Sequence, residues 1–483
     1  MRPLSMPFLR RTLAIAVACA LAACSTLPSY TVPETVVPDH YATAQAAPGW
    51  RVATPLDTEP RGDWWTVFND PDLNRLESQL AVSNQTVKKA IAQLQQARAM
   101  IDYQHAGFMP TVTAGAAQSR TRLSQNVEGH RLAGKTVPDY SASVSATWEP
   151  DLFGRVRDAV VNARDNAQAS EADLEAVRLA MSSDLARDYF ALRALEIQKK
   201  LLDDSVAAYA AAFRILQQQV ADGAIDASAA AQAQTQLEST RSQATDIDVR
   251  IAQTTHAIAT LIGVPASSFS LPPKIETTAV PRIPAGVPSQ LLERRPDIAA
   301  AERRVAAANA QIGQAKAAFY PDLTLSATAG LESTFFAPWL TAPSLFWSIG
   351  PQLVGTLFDG GKRDASLKGA TAQYNGSVAD YRQTVLVAFQ QVEDALSELD
   401  SLSSEAQSQR RATAAAELSL ELTQDRYRAG AVSYLDVVTT QTIALANERM
   451  EAQVQGRRID ASVQLATALG GGWDRAALDS SVD

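Results

Sequence analysis

Four short segments of the chain alternate apolar and polar residues, which is the pattern of a β-strand with one apolar face. The clearest is YSASVSATW, from Tyr140 to Trp148, in which aromatic, aliphatic or small side chains alternate with hydroxyl side chains. The segments LTLSATAGL (from Leu323) and LFWSIGPQL (from Leu345) repeat this pattern, whereas PTVTAGAAQSR (from Pro110) alternates weakly. We therefore predict strands at about 109–122, 138–150, 320–332 and 344–358.

After each pair of predicted strands, apolar residues recur at alternating spacings of four and three over about 65 residues. The series includes Val156, Val160, Ala163 and Leu202 in the first stretch, and Tyr374, Val378 and Val392 in the second. Such spacing forms the seam of a coiled coil, and about 65 helical residues would extend roughly 100 Å. The pattern predicts paired helices that are longer than those of ordinary globular domains.

The chain repeats itself. WEPDLFGRVRDA (from Trp148) returns as LVGTLFDGGKRDA (from Leu353), FMPTVTAGA returns as FYPDLTLSATAG, and VADGAID returns as YRAGAVS. NDPDLNRLESQ likewise has a partner in RRPDIAAAERR, and all four matches occur in the same order at offsets of about 205 to 225 residues. This order indicates a tandem duplication in which each half reads helix, two strands, very long helix, Gly turn and long helix.

The repeats divide the chain into segments. Between the halves, residues 264–296 contain seven prolines, which favours an extended linker over a helix or a strand. We predict a first repeat at 61–263, a linker at 264–291, a second repeat at 292–470 and a short tail at 471–483.

The N-terminus reads as a secretory signal at 1–23, with a basic start and the short apolar stretch TLAIAVACALAA. The signal ends in LAAC, which resembles the bacterial lipobox and predicts lipid on Cys24; the alternative is an ordinary signal with an unrelated Cys. In such lipoproteins, a residue such as Ser25 in place of Asp points to the outer membrane. Residues 24–60 would then form a tether next to the lipid.

Composition and charge exclude several classes of protein. Removing the three signal arginines changes the net charge from −9 to −12, and no basic patch indicates nucleic-acid binding. No G-x-S-x-G, P-loop or H-E-x-x-H motif is present, so no enzyme activity and no cofactor beyond the covalent lipid is predicted. No metal site is predicted either, because the four histidines lack ligand spacing: His40, His105, His130 and His256.

Four strands cannot close a membrane barrel, since the smallest known barrels have about eight strands. An open sheet edge would leave backbone groups unsatisfied in lipid. If these strands span a membrane, the barrel must be shared between subunits, and the strand count allows either two or three chains. On periodicity alone, a half-buried sheet in water remains the alternative.

Four segments carry a resemblance to a known family. WWTVFNDPDLNRLESQLAVSNQ, the block LLERRPDIAAAERRVAAANAQIGQAKAAFYPDLTLSATAG, WEPDLFGRVRDA and RYRAGAVSYLDVV together resemble the TolC-like outer-membrane efflux family, in its lipidated branch. The resemblance covers the whole mature chain. It implies a mainly α fold with a membrane β part: a homotrimer with a shared 12-stranded barrel and a long α-helical periplasmic tunnel.

By the same resemblance, the repeated segments WEPDLFGRVRDA and LVGTLFDGGKRDA form the corners at which the barrel passes into the tunnel. There each strand pair passes into a long helix, and we expect Gly154, Gly360 and Gly361 to allow a sharp bend where a side chain would be crowded. At the far end of the helices, Gly223 and Gly430 would join each helix pair by a turn.

In relatives this far end holds a gate. By position, Arg426 matches a gate-linking arginine and Leu435 a pinching leucine, while Thr439 stands where relatives often have an acidic residue. Asp436 and, in the first repeat, Asp222 or Asp226 could substitute in part, or these acids could simply cap turns or helix starts.

The resemblance implies a passive exit duct in the outer membrane, exporting drugs or other small toxic compounds. Its implied partners are a periplasmic membrane-fusion adaptor, an inner-membrane resistance-nodulation-division pump and outer-membrane lipid. Two alternatives are a duct for protein secretion and, from a different class, a lipid-anchored periplasmic coiled-coil scaffold that never spans the membrane. The aromatic loop at 332–343 would either plug the mouth of the duct or contact lipid.

Overall fold

The structure is a computed structural model that describes residues 26–38, 40–42, 63–126, 133–276, 278–281, 283 and 291–471. These residues form helices and one sheet. The helices are α1 (Pro71–Ser83), α2 (Gln85–His105), α3 (Arg155–Ala221), α4 (Ala227–Leu261), α5 (Leu291–Arg294), α6 (Pro296–Ala317), α7 (Lys362–Arg428) and α8 (Tyr434–Ala468). The strands are β1 (Thr111–Arg122), β2 (Thr136–Trp148), β3 (Asp322–Ser333) and β4 (Leu345–Val354).

Several predictions fall outside the described residues. These are the signal at 1–23, the lipid site Cys24, most of the tether at 24–60, the histidine His130, linker residues 277, 282 and 284–290, and all but the first residue of the tail at 471–483.

The duplication is visible in the helix lengths. Helices α3 and α7 each contain 67 residues, and α4 and α8 each contain 35. The expectation of two very long helices, each followed by a second long helix, is confirmed. None of the described helices has a stretch that is both long and apolar enough to cross a bilayer.

The described residues belong to two compact units. The first contains Leu94–Ser170 and Ala301–Tyr381 together with the described residues before Glu34, and it holds the sheet. The second contains Glu34–Gln93, Glu171–Ala300 and the chain from Arg382 onward.

In the first unit the four strands form one antiparallel sheet in the order β1-β2-β3-β4. Each strand begins and ends within a few residues of its predicted bounds, and β1 pairs along its whole length despite its weak alternation. Since no described strand lies beyond β1 or β4, each of these two strands has one partner within the chain.

In the second unit, aliphatic and aromatic side chains from four helices and from the turn before α1 share one core. Its buried members include Phe68, Leu73, Tyr189, Ile258 and Val463. The predicted seam is confirmed in both long helices, because none of its residues is exposed; Leu202 and Val392, for example, are fully buried.

Buried polar contacts tie the described part of the linker to this core. The Arg193 guanidinium donates to Glu196 (2.8 Å) and to the carbonyl of Pro272 (2.9 Å), and Glu196 accepts from the backbone N–H of Lys274 (3.0 Å). The Lys274 ammonium in turn donates to the carboxylate of Asp70 (3.0 Å). Apart from the 3-10 helix Ala266–Ser268, the described linker residues up to 276 form neither helix nor strand, and hydrogen bonds, some of them charge-assisted, fix residues 272–274 to α3.

Glu77 lacks such a partner. Its side chain lies on α1 at 1% exposure, and neither carboxylate oxygen makes a hydrogen bond with any residue that the structure describes. Burial, reinforced by the nearby charge of Asp63, raises the pKa of Glu77 to about 8, although the facing hydroxyl of Ser182 acts in the opposite direction. The second unit therefore contains a carboxyl group that is protonated at neutral pH.

We expect Arg193→Met to destabilise the protein by about 3–5 kcal/mol, because it leaves the Glu196 carboxylate buried without a countercharge. The double variant Arg193→Met/Glu196→Leu should recover most of this loss. The melting temperature of the detergent-solubilised full chain measures both effects. A single variant that melts with the wild type would contradict the role of the pair.

We expect Glu77→Leu to stabilise the protein at pH 9 more than at pH 5. Between about pH 4.5 and pH 8 the folded chain holds a proton that the unfolded chain releases, so the free energy of unfolding falls as pH rises through this window. Melting temperatures across this range measure the slope, and Glu421→Gln, at an exposed position on α7, is the control. An unchanged slope in Glu77→Leu would rule out this carboxyl as its source.

Candidate functional site

The register of the sheet sorts its side chains into two faces. Directly paired residues of antiparallel strands project to the same side, so the pairs Val112↔Ala146, Val144↔Ala329 and Ala329↔Trp347 continue one face across all four strands. We call this the apolar face; it consists of Val112, Ala114, Ala116, Ala142, Val144, Ala146, Trp148, Leu323, Leu325, Ala327, Ala329, Leu331, Leu345, Trp347, Ile349, Pro351 and Leu353.

The apolar face is open. Trp347 and Ile349 are 71% and 73% exposed, and Val112 is 64% exposed. The opposite, polar face is rich in hydroxyl groups such as those of Ser145 and Thr328, which hydrogen-bond each other across β2 and β3 (3.1 Å). A sheet with one exposed apolar face and one hydroxyl-lined face suits a boundary between lipid and water.

The loop after β3 brings aromatic side chains to the end of the sheet distant from the helices. Phe336 and Trp339 contact Tyr140 with ring centroids 5.4 and 6.0 Å apart, and the Trp339 indole N–H donates to the carbonyl of Leu331 (3.3 Å). Tyr140 lies two residues from Ala142 on β2, so it extends the apolar face. Of the two sequence-based alternatives for loop 332–343, these contacts favour contact with lipid.

The predicted corner glycines all have left-handed backbones, with φ of 82° at Gly154, 65° at Gly360 and 91° at Gly361. The expected reason was wrong for the second corner. A Cβ at Gly360 or Gly361 would meet no atom of the described residues within 4 Å. The positive φ, rather than crowding, favours glycine there.

An aspartate caps the long helix at each corner. Asp151 accepts the backbone N–H groups of Val156 (2.9 Å) and Arg157 (2.8 Å) at the start of α3. Asp359 accepts the N–H of Gly361 (3.0 Å) and holds the Arg363 guanidinium at 2.7 Å at the start of α7. Each cap satisfies N–H groups that a helix start leaves without partners.

The first described residues after the predicted lipid site dock at the first corner. The Thr26 hydroxyl lies 2.9 Å from the carbonyl of Phe153 and 3.1 Å from the carboxylate of Asp158. Further along, the Asn309 amide donates to the carbonyl of Pro28 (2.9 Å) and Tyr30 donates to Glu302. These contacts fix residues 26–30 within the first unit.

The predicted acidic gate residues serve as helix caps at the two Gly turns. Asp226 accepts the N–H of Ser228 (2.7 Å) at the start of α4, and Asp436 accepts the N–H (3.0 Å) and the hydroxyl (2.7 Å) of Ser433 at the start of α8. These hydrogen bonds lower the pKa of both aspartates, and the charge of Arg426 further lowers that of Asp436. Both carboxylates are therefore ionised at neutral pH.

Leu435 points away from the apolar cluster that its sequence neighbours join. Its side chain is 52% exposed, whereas its neighbours Tyr434 and Val437 are buried against Leu216. Thr439, which stands where relatives often have an acidic residue, is uncharged. Its hydroxyl donates to the carbonyl of Leu435 (2.8 Å).

Sequence reasoning missed the tyrosines that brace the second turn. Tyr427 and Tyr434 flank Gly430 and pack edge to face, with ring centroids 5.8 Å apart. The segment YRAGAVSY has one tyrosine on each side of the turn, and this symmetrical placement could have predicted the contact between them.

Among the residues that the structure describes, no group of three or more His, Cys, Asp or Glu side chains is placed to hold a metal ion.

Comparison with known proteins adds three relatives. Cation efflux system protein CusC of Escherichia coli O6:H1 is 30% identical over 470 residues, which cover 96% of this chain and 99% of CusC. Probable efflux pump outer membrane protein TtgC of Pseudomonas putida is 30% identical over 94% of this chain and 93% of its own length. A solved membrane protein from Pseudomonas aeruginosa superimposes with a TM-score of 0.85 at 29% identity and covers 94% of this chain and 98% of that chain.

The family model described as outer membrane efflux protein matches both repeats, at residues 76–264 and 287–471. The two matched ranges include the sheet, both long helices and both Gly turns. The chain therefore belongs to the outer membrane efflux protein family.

Proposed function

We propose that three copies of this chain form a passive exit duct for drugs or other small toxic compounds. Membership of the family makes the chain an outer-membrane efflux channel component rather than a member of an enzyme family. The proposal goes further: twelve strands from three subunits would close one barrel, and the paired long helices would form a periplasmic tunnel. The observation that carries it is the four-stranded sheet with one exposed apolar face and one hydroxyl-lined face.

The sheet edges support a shared barrel. Within the chain, β1 and β4 each pair on one side only among the described residues. In lipid, the free N–H and C=O groups of these edges need partners that lipid cannot supply. Pairing of β1 from one subunit with β4 of the next would satisfy both edges in a closed ring, and the family resemblance favours three subunits over two.

The docked N-terminal segment supports the lipid proposed on Cys24. Thr26 is hydrogen-bonded at the first strand-to-helix corner, where the apolar face of the sheet ends. A lipid two residues earlier would enter the membrane leaflet at that level. The lipid and the barrel would then both anchor the subunit in the membrane, the lipid at the level of the first corner.

The duct would work with an adaptor and a pump that choose the cargo. CusC is named for cation efflux and TtgC for an efflux pump. The names of these relatives therefore do not indicate one common substrate. The polar face carries serine, threonine and glutamine side chains, which would line a water-filled passage without selecting a molecule. We place selection in the inner-membrane pump, and docking of the adaptor at the helix end of the duct.

We expect the detergent-extracted full chain to have the mass of three subunits by native mass spectrometry. In a planar bilayer it should give a small conductance that can be opened. A chain that stays monomeric or dimeric and never conducts would contradict the shared barrel and favour a lipid-anchored periplasmic scaffold.

We expect Leu435→Ala to raise the leak of a bulky antibiotic into a strain that lacks its own channel. The exposed Leu435 lies beside the Gly430 turn, and shortening its side chain would widen a closed helix end. Antibiotic susceptibility measures the leak, with surface trimer quantified in parallel. Leu418→Ala, at an equally exposed leucine on α7, is the matched control.

If susceptibility stays at the wild-type level with normal trimer, Leu435 does not belong to the gate. Arg426→Ala tests the remaining proposed gate residue in the same assay, since it removes the cation beside Asp436.

A further inference from the structure

Two arginines extend the apolar face beyond its aromatic end. In the β1–β2 ladder, Gln118 pairs with Tyr140, Arg120 with Pro138 and Arg122 with Thr136. The pairing is continuous, so every second residue of β1 from Val112 to Arg122 projects to the same side. At about 3.4 Å per residue, the two arginines lie roughly 7 and 14 Å beyond the level of Tyr140.

We propose that Arg120 and Arg122 bind the headgroup phosphates of an anionic lipid in the outer leaflet of the outer membrane. This inference rests on the proposed function, in which the apolar face contacts lipid.

The order of side chains along this face matches a passage from hydrocarbon to headgroup. Val144 and Ala142 come first, then Tyr140 with its partners Phe336 and Trp339. Aromatic side chains of membrane strands concentrate at the interface. The arginines follow outside this aromatic cluster, at the depth where lipid phosphates lie.

Acidic residues at the same end lie on the other face. Asp139 pairs with Ser119 and Glu332 pairs with Ser141, and both pairs project to the polar side of the sheet. Neither Arg120 nor Arg122 forms an ion pair with a described carboxylate. The lipid side of this end therefore carries positive charge without a protein counterion in the part of the chain that the structure describes.

The helix end of the sheet is different. There Arg155 is paired with Glu149, and Arg363 with Asp359. These arginines are neutralised within the protein, whereas the arginines at the far end are exposed. The contrast favours an anionic ligand at the outer end, because a guanidinium can hold a phosphate through two parallel hydrogen bonds.

Native mass spectrometry of the full-length protein with diphosphorylated lipid A, and with the same lipid A after removal of its phosphates, tests the inference. We expect wild type to retain the diphosphorylated form at least ten-fold more tightly. The variant Arg120→Gln/Arg122→Gln should lose this preference. The control Arg410→Gln/Arg411→Gln, an exposed arginine pair on α7, should keep it.

Two outcomes overturn the proposal: a wild type without preference for the phosphorylated lipid, or a double variant that keeps it. Planar-bilayer conductance of the same samples separates this failure from failure of the duct. If wild type conducts but shows no preference, only the lipid site is wrong. If wild type never inserts or conducts, the proposed function fails and the lipid site with it.

Discussion

Backbone N–H and C=O groups at a sheet edge need hydrogen-bond partners, and inside a bilayer only another strand can provide them. This chain supplies four strands, and among its described residues β1 and β4 each lack a second neighbour. In the function proposed above, the need to pair these edges is what leads from a four-stranded sheet to an assembly of identical subunits. The duplicated sequence suits such an assembly, because each repeat contributes one strand pair and one pair of long helices.

Helices as long as α3 and α7 need their stabilising contacts spread along their length, because no single core can cover 67 residues. The second unit shows how this is done. Separate apolar clusters, such as the one around Leu202 and Ile247, alternate with polar contacts between helices, such as that between Arg187 and Asp460 (2.7 Å). Glu77 differs from these paired groups, since its buried carboxyl has no hydrogen-bond partner among the described residues and therefore lowers stability as pH rises.

The sequence was sufficient for features that repeat locally. Alternation located three strands clearly and β1 only weakly, and three-four spacing identified seam residues such as Leu202 and Val392, because both patterns are set by residues close in the chain. It was insufficient where distant residues meet. The contact of Arg193 with Pro272 joins positions 79 residues apart, and no local sequence pattern predicts such a contact. The capping by Asp226 was foreseen only as one of two alternatives, because a short acidic turn suits either role.

Strand register links the proposed membrane span to the proposed headgroup contacts. In the observed register Val112, Tyr140 and Arg120 share one side of the sheet, while Asp139 and Glu332 share the other. A one-residue slip of β1 against β2 would move Val112 and both arginines to the hydroxyl-lined side. The apolar band and the cationic end are therefore specified together. A sheet that buries its apolar face in lipid would also turn Arg120 and Arg122 toward the lipid, so the proposed phosphate site depends on the same strand pairing as the apolar face.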